Sequence, residues 1–485
     1  MINSYEKYKK VRVHAPRFPQ NLEWLGTEKN NIDNLKNRII LLDFWTFCCI
    51  NCIHVMNDLK YLENKYKNKL QVIGVHSPKF DHEKNSKAIV EAMNRYNITH
   101  PVVNDKNRKV WDSYTVSAWP TFILIDPEGY AFTMVSGEGN RDILDKIIGD
   151  TIEYYDEKIN WPDGYIKVGE DISKGEYSYP SKIDINEDGN IAIAETGKNR
   201  IVVLDENFNK SFVIGSGNYG FKDGKFEKAE FKSPQGVKFL KNEIYVADTE
   251  NHLIRKCNIK DRNVTTIAGN GEKEYNPITK GKALDVSLNS PWDIEIIKDK
   301  MYIAMAGNHQ IWRLDLSSFV IESYIGTGEE NIRDGGYDKC LLAQTSSLCY
   351  DGENRLYFID SETSSLRYAD LKENTVRTLI GKGLFYFGNK TGNLYNSTFQ
   401  HPLGVSYKDK ILYVADTYNN RVVKIDLDKK KVSNIQKNLN EPSGLDIYND
   451  TIYVCDTNNG RILNIPIDKK LIGKKKLCTV GSDKC

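Results

Sequence analysis

Apolar and polar residues follow two different rhythms along the 485 residues of the chain. Up to about residue 158, short apolar runs exchange with amphipathic stretches. IILLDFW (39–45) reads as a buried strand, IHVMNDLKYLENKY (53–66) as a helix, LQVIGVHS (70–77) as a strand, SKAIVEAMNRYN (86–97) as a helix, and TFILIDPEG (121–129) as a strand running into a turn. Such alternation predicts an α/β layer with parallel strand pairing. After DEKINWPDG (156–164) the helical pattern fades and a strand-rich unit recurs. Its anchors, Pro180, Pro234, Pro291, Thr345, Pro402 and Pro442, are separated by 54, 57, 54, 57 and 40 residues. Six copies of a three-to-four-strand unit are too many for one sheet and predict six blades around an axis. The expected division is residues 1–158 and 165–485, with residues 160–176 either adding a strand to the last blade or simply linking the two parts.

Most of what repeats has a structural reading. The proline starts a strand without a ladder donor, and the Y-V-A run fills the space between blades. Asp248, Asp360, Asp416 and Asp456 each precede Thr or Ser at a strand end, where a carboxylate can bond nearby backbone N–H groups. Glu195 and Met305 stand at that place in the first and third repeats, so those two blades are expected to be held differently. Between blades two and five the connectors are long and glycine-rich, as in GSGNYGFKDGKFEKAEFKSP. None of their G-x-G runs opens a helix after a parallel strand, which argues against phosphate binding. Long loops on one face predict a surface for a protein partner.

Composition narrows the classes further. With 67 Lys plus Arg against 66 Asp plus Glu, and no basic run interleaved with aromatics, nucleic acid is excluded as principal partner. No stretch approaches 18 apolar residues and MINSYEKYKKVRVHAP has no apolar signal core, so neither membrane insertion nor secretion is expected. Nine cysteines is an odd number, and six of them are scattered singly over the second half, a usage that fits the cytoplasm.

The other three stand together in CCINC (48–52). A C-x-x-C where a buried strand meets a helix is the geometry of dithiol redox chemistry. The helix N-terminus favours a thiolate on Cys49, the nucleophile, and Cys52 lies close enough to resolve a mixed disulfide. No cofactor beyond this dithiol is implied. A metal site built from Cys48, Cys49, Cys52 and His54 would crowd four ligands into seven residues, and a vicinal Cys48–Cys49 disulfide would close a strained ring. A retired, non-catalytic fold is the more serious alternative. Cys48 and His54 are candidates to tune the sulfurs, His54 lying one helical turn beyond Cys49, although a His on such a helix more often serves surface or packing. Cys478 and Cys485 read as tail cysteines rather than as a resolving arm.

LLDFWTFCCINC (41–52) resembles the thioredoxin pattern, and SAWPTFILID (117–126) resembles its second element. The resemblance implies that Asp43 is the buried carboxylate assisting the resolving cysteine and that Pro120 is a cis-proline beside the sulfurs. It also implies that Trp119 pairs with substrate as an added strand, with Trp45 in the same groove. The intervening segment looks like the insertion of the TlpA and peroxiredoxin-like branch. The repeats resemble NHL repeats, and taken whole the chain is similar to the NHL repeat-containing protein 2 family. That resemblance implies a two-domain protein, an α/β thioredoxin-like domain followed by an all-β six-bladed NHL propeller. The activity it implies is thiol-disulfide oxidoreduction on a protein partner, recharged by the thioredoxin or glutathione system. A non-catalytic scaffold and a thiol peroxidase are the alternatives. Two departures stand out: Ile-Asn separates the cysteines where efficient reductases carry proline second, and Cys48 replaces the usual Trp.

Overall fold

The computed structural model describes residues 4–27, 35, 37–168, 175–273, 276 and 279–467. Two compact units emerge, Met1–Ile172 and Ser173–Cys485. The first is built on seven strands, β1 (Val13–His14), β2 (Glu23–Leu25), β3 (Ile39–Trp45), β4 (Leu70–His76), β5 (Val102–Asn104), β6 (Thr121–Ile125) and β7 (Tyr130–Ser136). Five α-helices accompany them among the described residues, α1 (Ser4–Tyr8), α2 (Ile50–Tyr66), α3 (Ser86–Arg95), α4 (Lys109–Ser113) and α5 (Arg141–Tyr155). The sheet order is β1-β7-β6-β3-β4-β5-β2. The expected parallel pairing holds for β3, β4 and β5, whereas β6 lies antiparallel to β3.

All seven residues of β3 and of β4 are buried, so both faces of the sheet centre are covered. Alternation sorts them. Ile40, Leu42 and Phe44 join Ile73 and Val75 in a core closed by Val110, Trp111 and Tyr114. Leu41, Asp43 and Trp45 point the other way, toward α2. That helix buries Cys52, Val55, Met56, Leu59 and Leu62, an apolar stripe at helical spacing.

The first unit keeps the segment up to residue 168. Ile166 N donates to Gln71 Oε1 at 2.8 Å and Val168 N to the Thr99 carbonyl at 2.8 Å. The second unit therefore begins at 173, later than the expected 165. At its start Tyr177 N donates to the Gly460 carbonyl at 2.9 Å, which ties the entry to the last blade. Cys478 and Cys485 lie outside the described residues.

The second unit is a six-bladed propeller, its sheets holding four, five, five, five, five and three strands among the described residues. The strands nearest the axis are Pro180–Ile185, Val237–Leu240, Pro291–Ile297, Thr345–Tyr350, Gly404–Lys408 and Pro442–Tyr448. They enclose a cavity of about 160 Å³ to which all six contribute. Each repeated aspartate clasps its own blade. Asp248 accepts from Lys232 N at 2.8 Å and pairs with Arg255 Nη1 at 2.7 Å. Asp360 does the same with Ala343 N and Arg367, Asp416 with Gln400 N and Arg421, and Asp456 with Asn440 N and Arg461. Glu195 departs from expectation. Its longer side chain reaches Ser178 N and Arg200, so the first blade is held as the others are. Only the third differs, with Met305 Sδ accepting from Asn289 N at 3.3 Å.

A second set of bonds joins blade to blade. The hydroxyl following each aspartate or Glu195 donates to the carbonyl of the next blade's proline: Thr196 to Pro234, Thr249 to Pro291, Ser361 to Pro402, Thr417 to Pro442, and Thr457 back to Pro180, all at 2.7 to 2.9 Å. Between blades three and four both partners deviate, Ala306 lacking the hydroxyl and Thr345 replacing the proline. There Asp293 substitutes, its Oδ2 accepting from Leu348 N at 3.0 Å and Ser347 Oγ at 2.9 Å.

Candidate active site

The site lies where β3 hands over to α2. Cys49 occupies the N-cap with extended backbone, and its side chain makes no cap hydrogen bond to the first turn of α2. Ile53 N already bonds the Cys49 carbonyl at 3.2 Å. Cys49 is partly exposed, while Cys48 and Cys52 are buried, and all three are free thiols. One sulfur of the pair is reachable and the other is held behind it. Burial, then the hydrogen bond with Cys49, pushes the Cys52 thiol well above the ordinary cysteine range, and the Asp43 charge adds to this.

Asp43 is fully buried and neither carboxyl oxygen has a hydrogen-bond partner in the protein. Desolvation raises its pKa to about 7, with His100 opposing and Glu63 reinforcing the shift. The Trp119–Pro120 peptide is cis. Trp119 is half-exposed, anchored by its Nε1 donating to the Ser77 carbonyl at 3.0 Å, and Arg108 lies 4.8 Å over its ring.

Three assignments change. Trp45 is fully buried and cannot line a groove. Two positions from Asp43 on the same strand face, it points under α2 and meets His76 edge-on at 5.0 Å. His54 is engaged elsewhere, its Nδ1 lying 2.5 Å from Glu138 Oε2 with little of either side chain exposed. Cys48 is turned inward, its Sγ 3.8 Å from Thr46 Oγ1.

Glu83, in the insertion, has no signal in the sequence motifs yet fixes this corner. It is fully buried. Its Oε1 accepts from Thr46 Oγ1 at 2.6 Å and Cys48 N at 3.0 Å, and its Oε2 from Lys79 N and Phe80 N, both at 2.9 Å. One carboxylate thus ties the turn before Cys49 to the loop after β4. A charged residue inside an otherwise polar stretch was the only available cue.

A thioredoxin-like family model matches residues 37–131, and the NHL repeat model matches residues 231–257 and 399–425. The chain is 38% identical over 452 residues to NHL repeat-containing protein 2 of Homo sapiens, covering 85% of this chain and 62% of that protein. It is 37% identical over 453 residues to Protein SUPPRESSOR OF QUENCHING 1, chloroplastic, of Arabidopsis thaliana, covering 87% of this chain and 42% of that one. The first unit alone matches Thioredoxin-like protein SkfH of Bacillus subtilis, 30% identical over 133 residues and 93% of that protein. The chain thus spans roughly three-fifths of the human relative's length, and the match runs through both units. Through both its thioredoxin-like unit and its NHL propeller, this chain is similar to NHL repeat-containing protein 2.

Proposed function

We propose that the protein is a thiol-disulfide oxidoreductase whose dithiol is Cys49 and Cys52 and whose propeller presents the partner. The observation that carries this reading is the stacking of a reachable Cys49 over a buried Cys52, with an unpaired, buried Asp43 beneath. The Cys49 thiolate attacks one sulfur of a substrate disulfide, which breaks and releases a substrate thiolate. Cys52 then gives its proton to Asp43 and attacks the Cys49 sulfur, closing the Cys49–Cys52 disulfide and expelling the second substrate sulfur. Two electrons pass to the substrate, and a cellular dithiol or glutathione returns them to the enzyme. Trp119 and Pro120 form the edge against which the substrate chain lies.

The propeller's part rests on its connectors. Its large exposed apolar side chains fall mostly there, including Phe221 at 72% and Phe385 at 69% exposure, with Tyr219 and Tyr395 nearby in sequence. Four cysteines of the propeller, Cys257, Cys340, Cys349 and Cys455, are buried free thiols, which suits the cytoplasm.

A glutathione redox titration read by thiol alkylation and mass spectrometry tests the reading. A reversible two-electron transition that disappears in Cys49→Ser, together with mixed disulfides trapped by Cys52→Ser, is the expected outcome. If no Cys49–Cys52 disulfide forms at any potential, the chain is a scaffold instead.

A further inference from the structure

Behind Asp43 the first unit holds a set of polar atoms that its architecture leaves unpaired. Asp43 stands opposite Gly74 in the β3–β4 register. A Cβ at position 74 would lie 2.9 Å from Trp45 Nε1 and 3.0 Å from Val102 Cγ2, which glycine avoids, and 3.5 Å from His100 Nε2, so both nitrogens come to the strand position opposite Asp43. Neither nitrogen has a hydrogen-bond partner in the protein, and neither oxygen of Asp43 has one. Buried polar atoms are almost always paired, and exceptions gathered at one spot point to a role beyond stability. On its far side the imidazole meets an acid, with His100 Nδ1 3.4 Å from Glu63 Oε1. His100 is 2% exposed, while Glu63, on α2, is 9% exposed and stands nearer the surface.

We propose that His100, backed by Glu63, is the relay that carries the Cys52 proton from Asp43 toward solvent and holds Asp43 ready for the next turnover. The inference rests on the dithiol reading above. When Cys52 attacks the mixed disulfide, its proton passes to an Asp43 oxygen. The neutral imidazole takes that proton at Nε2, which restores the carboxylate. The Nδ1–H of the resulting imidazolium faces the Glu63 carboxylate, and the proton leaves by that side. No electrons move in this step, and the charge on His100 is balanced by Glu63.

The titratable groups facing Asp43 are Cys52 and Glu63 from α2 and His100 from the turn before β5. β6 presents Phe122 opposite Asp43, which does not titrate, and His76 farther along β4 is kept neutral by burial, its pKa lowered to about 3. His100 is therefore the base available to the carboxyl, and it acts through Asp43 as a positioning residue.

The test uses the full chain with Cys478→Ser and Cys485→Ser, so that those two thiols do not react. Reduced protein is mixed with 5,5′-dithiobis(2-nitrobenzoate) in a stopped-flow instrument. The first thionitrobenzoate released reports attack by Cys49 and the second reports resolution by Cys52. In His100→Gln the first phase should keep its rate, while the second slows by roughly tenfold or more at pH 7 and its pH midpoint moves upward, because the imidazolium that opposes reprotonation of Asp43 can no longer form. Glu63→Gln should slow the second phase by a smaller factor, and it decides the matter alone if His100→Gln does not fold. Unchanged second phases in the folded variants, or both phases slowed alike, overturn the relay. A parent protein that releases no second thionitrobenzoate overturns the dithiol reading, and the relay with it.

Discussion

The two units treat buried carboxylates in opposite ways. In the propeller, Asp248, Asp360, Asp416 and Asp456 are fully buried and each is met by a backbone N–H and an arginine. In the first unit Asp43 is equally buried and meets neither. The repeated aspartates recur in four of the six blades with an arginine five or seven residues on, so they serve the blade itself. Asp43 has no such partner, and its desolvation is maintained against stability. An unpaired charge kept in a core is evidence for chemistry, whereas a paired one is evidence for architecture.

The largest effect expected from this contrast is in the propeller. Asp248→Ala leaves the buried Arg255 with Asp223 as its remaining carboxylate and strips Lys232 N of its acceptor, and should cost about 3 kcal/mol, read from urea unfolding by circular dichroism. Asp43→Asn, of similar burial, should leave the unfolding midpoint equal or higher above pH 7 while slowing resolution by Cys52. If Asp43→Asn lost as much stability as Asp248→Ala, the contrast would collapse.

Glu83 sharpens the comparison within one unit, because it is a buried carboxylate with four donors. Glu83→Ala leaves those donors bare and should cost about 2–3 kcal/mol. It should also raise the accessibility of Cys48 to alkylation, since the turn before Cys49 loses its tie. A melt that matches the parent, with Cys48 still protected, would contradict that role.

The pH dependence follows from the raised pKa of Asp43, about 7 in the folded protein against 3.8 for the free group. Between these values the folded state holds a proton that the unfolded chain has lost. The contribution is fully present below about 4 and is lost as pH rises through 7. The difference in unfolding midpoint between the parent protein and Asp43→Asn should therefore widen, to the parent's disadvantage, as pH is raised across this window. A difference that stays flat would show that Asp43 is already ionised at pH 4.

The smallest effect concerns the ring of hydroxyls. Thr249→Val removes one interblade bond and should cost about 1 kcal/mol by thermal melt. The same change would be without meaning at Ala306, where the bond is already replaced by Asp293.

Much of this was legible in the chain because the features are local. C-x-x-C at a strand–helix junction lies within a few residues, and the blade repeat announces itself by period. The clasping role of the aspartates followed from their place in that period, although the arginine partner did not. Glu195 misled because a one-carbon difference in reach is invisible until the geometry of the blade is known. Trp45 misled because its neighbours in the motif are functional, whereas strand alternation turns it inward. Glu83 and Glu63 left no trace and His100 reads only as a structural residue beside a strand, since the partners that give them a role in the site lie 20 to 57 positions away in sequence and no spacing rule connects them.

The bond from Thr457 to Pro180 spans 277 residues. A blade forms from contacts made within a few dozen residues, but the circle cannot shut until its last sheet exists. During synthesis from the N-terminus, the thioredoxin-like unit is complete and free of the ribosome long before that moment. The first five blades must wait, side by side, with the inner strand Pro180–Ile185 unmatched on one flank. The interval before Thr457 emerges is when a nascent chain of this protein most needs a chaperone, and a stalled or truncated product lacking that sheet would expose the same flank to its neighbours.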